Sequence, residues 1–119
     1  MSAPGRRRAY RFGRLAETIG VWWLMLRGYR VLARRFDAGV GEIDIVARRG
    51  GVLAMVEVKA RRNGDEADML TLRQRARIIR AAEAYVARNP RCAGLGLRFD
   101  LLVVRPWRVP RHLADAWRP

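Results

Sequence analysis

The chain has 119 residues, half of them apolar, and carries 25 Lys plus Arg against 11 Asp plus Glu, for a net charge of +14. This length favours one domain with a genuine core, and the charge predicts an anionic partner, for which nucleic acid is a stronger candidate than a membrane surface. The longest apolar run, residues 20–26, is too short to cross a membrane and no signal peptide is complete, so we predict a cytoplasmic protein.

The N-terminal end is predicted to be a mobile basic arm over residues 1–9, followed by a single domain over residues 10–119. Apolar side chains recur at helical spacing over residues 11–27, and Gly28 ends the pattern, which indicates an amphipathic helix. The two tryptophans of this helix, Trp22 and Trp23, are expected in the core.

Glu17 lies on this predicted helix, where Arg14 is its only positive neighbour three or four positions away. A surface glutamate near the helix N-terminus, favoured by the helix dipole, would explain its presence. This interpretation of Glu17 stays open.

Residues 29–36 predict the first strand, and residues 36–41 a loop whose two glycines permit a backbone close to a phosphate. The strands of a hairpin follow at residues 42–48 and 52–59, joined by Gly50-Gly51 as a type I′ turn. With this two-residue loop, Asp44 faces Glu57 and Glu42 faces Lys59. The opposite face is predicted to carry Ile43, Ile45, Val52, Ala54, Val56 and Val58.

The opposed carboxylates Asp44 and Glu57 repel each other unless a cation lies between them. Mg²⁺ or Mn²⁺ suits such oxygen ligands, and the Val58 carbonyl is a candidate further ligand. Lys59 is the only lysine among the basic residues, and its compact, titratable ammonium differs chemically from a guanidinium. Together these features favour a metal-dependent site for phosphodiester cleavage over a solvated strand face on which Glu42 pairs with Lys59.

The stretch GEIDIVARRGGVLAMVEVKAR, with Asp44 followed by Glu57-Val58-Lys59, resembles the D…(D/E)-x-K signature of the restriction-endonuclease-like nucleases. More closely, it is similar to the bacterial YraN-like family, whose relatives include archaeal Holliday junction resolvases. The likeness extends to LAETIGVWWLMLRGYRVLARRF, RIIRAAEAYVARNP, LRFDLLVV and PRHLADAW, and covers most of residues 13–117. It implies a nuclease fold, with Glu17 as an additional metal or water ligand.

A second helix is predicted over residues 69–88, with Asp68 or Thr71 as its N-cap. Three of its arginines, Arg73, Arg77 and Arg80, lie at helical spacing and suit phosphates rather than bases, although a solvated charged face is the alternative. We predict that these three and two arginines of the preceding polar loop, Arg61 and Arg62, bind nucleic acid. Residues 97–104 predict a buried strand, and the tail after it a short helix over the sheet.

The order helix, strand, hairpin, helix, strand predicts a mixed α/β sheet flanked by helices, which is the αβββαβ order of the restriction-endonuclease-like core. We expect the last strand to join by a right-handed crossover through the second helix. The leading hypothesis is a Mg²⁺- or Mn²⁺-dependent nuclease acting on DNA rather than RNA, branched DNA included. The alternatives are a nucleic-acid-binding module of the same fold without turnover, and an accessory protein of a larger complex. The oligomeric state is open, a homodimer included.

Overall fold

A computed structural model of the protein describes the backbone of residues 3–61 and 70–119, and the side chains from residue 13 onward within those ranges. Within these ranges, two helices and five strands follow one another, with a short 3₁₀ turn at Pro90–Cys92. They are α1 (Ala3–Leu26), β1 (Arg30–Asp37), β2 (Glu42–Arg49), β3 (Val52–Ala60), α2 (Leu72–Arg88), β4 (Gly96–Val104) and β5 (Arg111–Trp117).

The strands form one mixed sheet in the order β1-β2-β3-β4-β5. Every neighbouring pair is antiparallel except β3 and β4, which run parallel. A parallel pair requires a crossover connection, and α2 lies in the connection between these two strands. The predicted fold class, a mixed α/β sheet flanked by helices as in the restriction-endonuclease-like core, is confirmed.

The sheet is covered on both faces. Helix α1 packs on one face through Ala16 and Leu24, against Ala54 and Val56 of β3, so the predicted apolar stripe of β3 does face a core. Helix α2 packs on the other face, where a second cluster contains Ile78, Ala82, Tyr85, Met55 and Leu101. Neither helix, within the described residues, is long and apolar enough to span a membrane. The cytoplasmic location stays a prediction.

Helix α1 differs from its prediction in two respects. It begins at Ala3, so it includes most of the segment predicted as an arm, whose mobility stays a prediction. Trp22 is 66% exposed, so its predicted place in the core is wrong, while Trp23 is partly buried against the α1 cluster. Gly20 and Leu24 of this helix face the sheet. Trp22 is two positions from each of them, a rotation of about 200° around the helix axis, so its side chain points away from the sheet.

Gly20 permits this close approach of α1 to the sheet. A Cβ atom at this position would lie 2.7 Å from the Leu102 Cδ2 atom of β4. A larger residue at this position would therefore require the Leu102 side chain to shift.

The hairpin of β2 and β3 has the predicted register, since Arg49 pairs with Val52 and Ile45 with Val56. The turn differs, because positive φ occurs at Gly50 alone, as in a type II′ turn, and not at both glycines. The predicted common face of Ile43 and Ile45 is also wrong: Ile43 belongs to the cluster beneath α2 and Ile45 to the cluster beneath α1.

Strand alternation is lost at Asp44, between these two isoleucines. The β1–β2 ladder pairs Arg34 with Ile45 and Phe36 with Ile43, and skips the residues between them. On the β1 side the skipped residue is Arg35, whose φ of 51° lies in the left-handed region. The loss of alternation therefore falls at the Arg35–Asp44 position, while the register shift of this ladder lies between Val31 and Ala33.

Helix α2 begins where one of its two predicted N-caps stands. The Thr71 hydroxyl accepts a hydrogen bond from the Gln74 N–H, and the Gln74 side chain accepts one from the Thr71 N–H, which is a capping box. Thr71 is thus confirmed as the N-cap, whereas Asp68 lies outside the described residues.

The tail is a strand and not the predicted helix. Residues Arg111–Trp117 form β5, which pairs antiparallel with β4 and places the Trp117 ring 4.3 Å from that of Phe99. Strand β4 is buried from Phe99 to Val104, and an unpaired edge on this part of the strand would leave its backbone groups without partners. Pairing with β5 satisfies that edge.

Candidate active site

The predicted carboxylate pair lies where β2 and β3 separate. Their ladder ends at Ile45 and Val56, and the next residues are Asp44 and Glu57. The Asp44 Oδ2 atom accepts a hydrogen bond of 2.8 Å from the Val58 N–H. A side-chain carboxylate thus replaces the backbone acceptor that a continued ladder would supply, which holds Asp44 beside Glu57.

Both carboxyl groups are hard to ionise together in this setting. Burial, helped by the charge of Asp44, raises the pKa of Glu57 to about 8, although Lys59 opposes the rise. Burial also raises the pKa of Asp44, against the lowering effect of its hydrogen bonds with Val58 and Glu57. Two buried carboxyls at one site share a proton at neutral pH unless a cation takes its place.

Lys59 lies beside this pair, as its strand position predicts. Its Nζ atom is 3.8 Å from the Glu57 Oε1 atom, and its side chain is 19% exposed. This distance is a charge contact rather than a hydrogen bond, so the ammonium remains available to another group. The predicted opposition of Glu42 and Lys59 falls beyond the end of the ladder.

Glu17 is buried in this region, and the interpretation of it as a surface residue is wrong. It is 7% exposed, and the Arg35 Nε atom donates to both of its oxygens at 3.0 and 3.1 Å. Arg34 adds a longer contact of 3.4 Å. Burial and then the charge of Asp44 raise the pKa of Glu17, while Arg34 opposes the rise.

The arginines that hold Glu17 were missed by sequence reasoning, which considered only its helical neighbours. They come from β1, which crosses below the helix. Asp44 lines a small cavity together with Glu17 and Arg35, so this ion pair lies next to the carboxylate pair.

A cleft of about 700 Å³ opens over the carboxylate pair. Asp44 and Glu57 line one side, and Arg77 and Arg80 of α2 line the other. Of the remaining predicted phosphate-binding residues, Arg73 is exposed on α2 without lining this cleft. Arg61 follows β3 and donates its backbone N–H to the Val104 carbonyl, and Arg62 lies outside the described residues.

The loop between β1 and β2 closes one end of the cleft. Gly39 has a φ of +83° and donates its N–H to the Asp37 carboxylate, so it has the backbone freedom predicted for this loop. Gly41 serves a different purpose. A Cβ atom there would lie 2.4 Å from the Arg77 carbonyl oxygen, so the absence of a side chain lets the loop touch α2.

The donors at this site fit a hard divalent cation. Asp44 and Glu57 supply two carboxylates, and the Val58 carbonyl lies next in the chain. Mg²⁺ sites often use one or two carboxylates together with water and substrate phosphate. Across the described ranges, no group of three His, Cys, Asp or Glu side chains is placed to hold a metal ion, and the role of Glu17 as an additional ligand stays a prediction.

A second polar network at the far side of the sheet was not predicted. Asp100 is fully buried in β4 and accepts hydrogen bonds from Arg98 and from the Asp115 N–H, with His112 Nε2 at 2.8 Å. Burial alone would raise the pKa of Asp100, but hydrogen bonds from His112 and Arg98 lower it overall. The network fastens β5 to β4, and the only sign of it in the sequence is a charged residue within an apolar strand.

Comparison with known proteins identifies relatives over nearly the whole chain. Residues 16–104 match the model described as "Uncharacterised protein family UPF0102". A UPF0102 protein of Parvibaculum lavamentivorans is 56% identical over 112 residues, which cover 93% of this chain and 84% of the relative. One of Paramagnetospirillum magneticum is 50% identical over 125 residues, covering 98% and 97%. One of Rhodopseudomonas palustris is 53% identical over 116 residues, covering 97% and 88%.

Proposed function

The chain belongs to the uncharacterised protein family UPF0102, the YraN-like family that its hairpin predicts, and from this premise we propose that it is a metal-dependent nuclease hydrolysing DNA phosphodiester bonds. Branched DNA is the substrate we expect first, since the hairpin resembles that of nucleases related to junction resolvases.

One observation carries the proposal. Asp44 and Glu57 are adjacent and largely buried, with raised pKa values, in a cleft whose other wall presents Arg77 and Arg80. Groups whose pKa values are strongly perturbed by burial and by each other, in a cleft, are candidates for function. Here the acidic wall suits a divalent cation and the basic wall suits the phosphates of a nucleic acid.

Each side chain has a role in the proposed reaction. Asp44, Glu57 and the Val58 carbonyl would hold Mg²⁺ or Mn²⁺, which when bound neutralises phosphate charge and polarises water. Lys59, beside Glu57, orients the attacking water as an ammonium, or takes its proton as the neutral amine after giving its own proton to solvent. Arg77 and Arg80 bind phosphates flanking the scissile one, which fixes the strand against the carboxylate pair.

A non-catalytic nucleic-acid-binding module of the same fold is the second candidate. The observation that favours it is the ion pair of Glu17 with Arg35, which engages both oxygens of Glu17. While this ion pair holds, Glu17 is not free to act as a further metal or water ligand beside Asp44.

Incubation with a panel of DNA substrates separates the two candidates. Purified protein is mixed with duplex, single-stranded, flap and four-way DNA, in Mn²⁺ or in EDTA. Cleavage of at least one substrate in Mn²⁺ that stops in EDTA is the expected result. Binding to the same substrates without any metal-dependent product would favour the binding module.

A further inference from the structure

A second basic cavity lies at the opposite end of β2 from the carboxylate pair. It has a volume of about 240 Å³, and its main lining residues are Trp23, Arg27, Tyr29, Arg49, Arg98 and His112. Asp44 and Arg49 are five residues apart in one strand, which corresponds to about 17 Å. The cavity is therefore separate from the cleft.

Aromatic rings hold two of its guanidinium groups in place. The Arg27 Cζ atom lies 4.6 Å from the centre of the Trp23 ring, and the Arg49 Cζ atom lies 4.7 Å from that of Tyr29. A stacked guanidinium is already ordered, so less side-chain entropy is lost when it binds an anion.

The third guanidinium of the cavity belongs to Arg98 and is held in place by hydrogen bonds to the buried carboxylate of Asp100. Arg98 donates to both Asp100 oxygens and also to the Tyr29 hydroxyl. Its charge is therefore largely balanced by Asp100. No carboxylate among the described residues lines the cavity itself, whereas four line the cleft beside Arg77: Asp37, Glu42, Asp44 and Glu57. Arg27 and Arg49 thus leave the cavity with a net positive charge.

A structural role accounts for part of this arrangement. The Arg49 Nη1 atom donates to the Arg27 carbonyl oxygen at 3.1 Å, just past the end of α1, where a cation is favourable. This explains Arg49 but not the exposed guanidinium of Arg27, which faces the same cavity.

We propose that this cavity binds a backbone phosphate of nucleic acid away from the scissile bond, with Arg27 and Arg49 as its ligands. Guanidinium groups match phosphate oxygens in geometry and keep their charge at all relevant pH values. The volume is below the roughly 300 Å³ of the smallest drug-sized pockets, so it suits a phosphate group and not a whole nucleotide. The inference rests on the proposed nucleic-acid function.

The test compares Arg27→Gln, Arg49→Gln and the double variant with a matched control, Arg91→Gln. Arg91 is an exposed arginine in the turn after α2 and lines none of these cavities. Binding to a short labelled DNA duplex is measured by fluorescence anisotropy over a series of salt concentrations. The logarithm of the binding constant falls as the logarithm of the salt concentration rises. In each single variant this slope should be shallower by about 0.9, the value for one phosphate contact.

Since both arginines hold one phosphate, the double variant should lose about as much as either single variant. Slopes equal to that of Arg91→Gln, or fully additive losses, would overturn the shared site. If Arg49→Gln unfolds because its bond to Arg27 is lost, Arg27→Gln alone decides, since its side chain is exposed.

Two further outcomes keep this inference distinct from the proposed function. Absence of any nucleic-acid binding by the wild type would defeat both. The melting temperatures of the wild type and the double variant are also measured with and without inorganic phosphate. If phosphate raises only the wild-type melting temperature while the double variant still binds the duplex normally, the cavity holds a small phosphate ligand, and the nucleic-acid site is overturned.

Discussion

The proton shared by Asp44 and Glu57 makes the stability of the metal-free protein depend on pH. Burial raises the pKa of Glu57 from 4.5 to about 8. A group with a raised folded-state pKa contributes stability that is complete below its unfolded pKa and is lost as the pH rises through the folded value. The loss therefore falls between about pH 4.5 and about pH 8. Glu57→Gln removes this titration and keeps the shape of the side chain.

The size of the effect follows from the shift. One pKa unit corresponds to about 1.4 kcal/mol, so ionising Glu57 fully would cost on the order of 4–5 kcal/mol. This is an upper bound, because the side chain is 22% exposed and can turn toward water. We expect about half of it, with Glu57→Gln more stable than the wild type by about 2 kcal/mol at the upper end of the window.

Urea unfolding in EDTA at a series of pH values measures this difference. Asp44 and Glu17 also have raised pKa values and change stability in the same direction. The effect of Glu57 is therefore read from the free energy of unfolding of the wild type minus that of Glu57→Gln at each pH. Glu83→Gln, a change at an exposed glutamate of α2, serves as the control. Parallel curves for the wild type and Glu57→Gln would show that Glu57 is not strained by its neighbour and would refute the reasoning.

Three further predictions concern the metal, the lysine and the loop. Mn²⁺ or Ca²⁺ at a hundredfold excess over its Kd should stabilise the wild type by about 2.7 kcal/mol and so raise its melting temperature, but should do little for Asp44→Asn. Equal shifts of the melting temperature in the two proteins would exclude a metal site. Lys59→Arg should keep DNA affinity by anisotropy and metal binding by thermal shift but lose roughly 10²-fold in single-turnover rate; near wild-type cleavage would leave Lys59 without a special role. Gly41→Ala should destabilise the protein by about 1–3 kcal/mol in urea unfolding, because its Cβ meets the Arg77 carbonyl; unchanged stability would show that the loop moves freely.

The hairpin was predictable because its determinants are local. A two-residue glycine loop sets the register, which pairs Ile45 with Val56 and leaves Asp44 and Glu57 as the next residue of each strand. The turn type was not predictable from the same residues, because Gly-Gly tolerates several turn types and the twist of the flanking strands selects among them.

Features that depend on distant segments could not be predicted. The Glu17–Arg35 ion pair joins a helix to a strand, and the Asp100 network joins β4 to β5. The tail was expected to be a helix because nothing in its own pattern shows that β4 needs a partner on that edge. Helical spacing of apolar residues predicts Trp22 on the core face, but the face that α1 turns to the sheet depends on its packing partners and leaves Trp22 outward.

Cleavage by wild type and Asp44→Asn, prepared identically and assayed in Mn²⁺ on the best substrate, tests the central claim most directly. Asn keeps the size of Asp44 but removes the charge that would hold the metal, and a contaminating nuclease would act equally in both samples. We predict metal-dependent product from the wild type and a loss of at least about 10²-fold in the variant. Equal cleavage by both proteins, or none by the wild type on any substrate, would contradict the assignment of a nuclease site to Asp44 and Glu57.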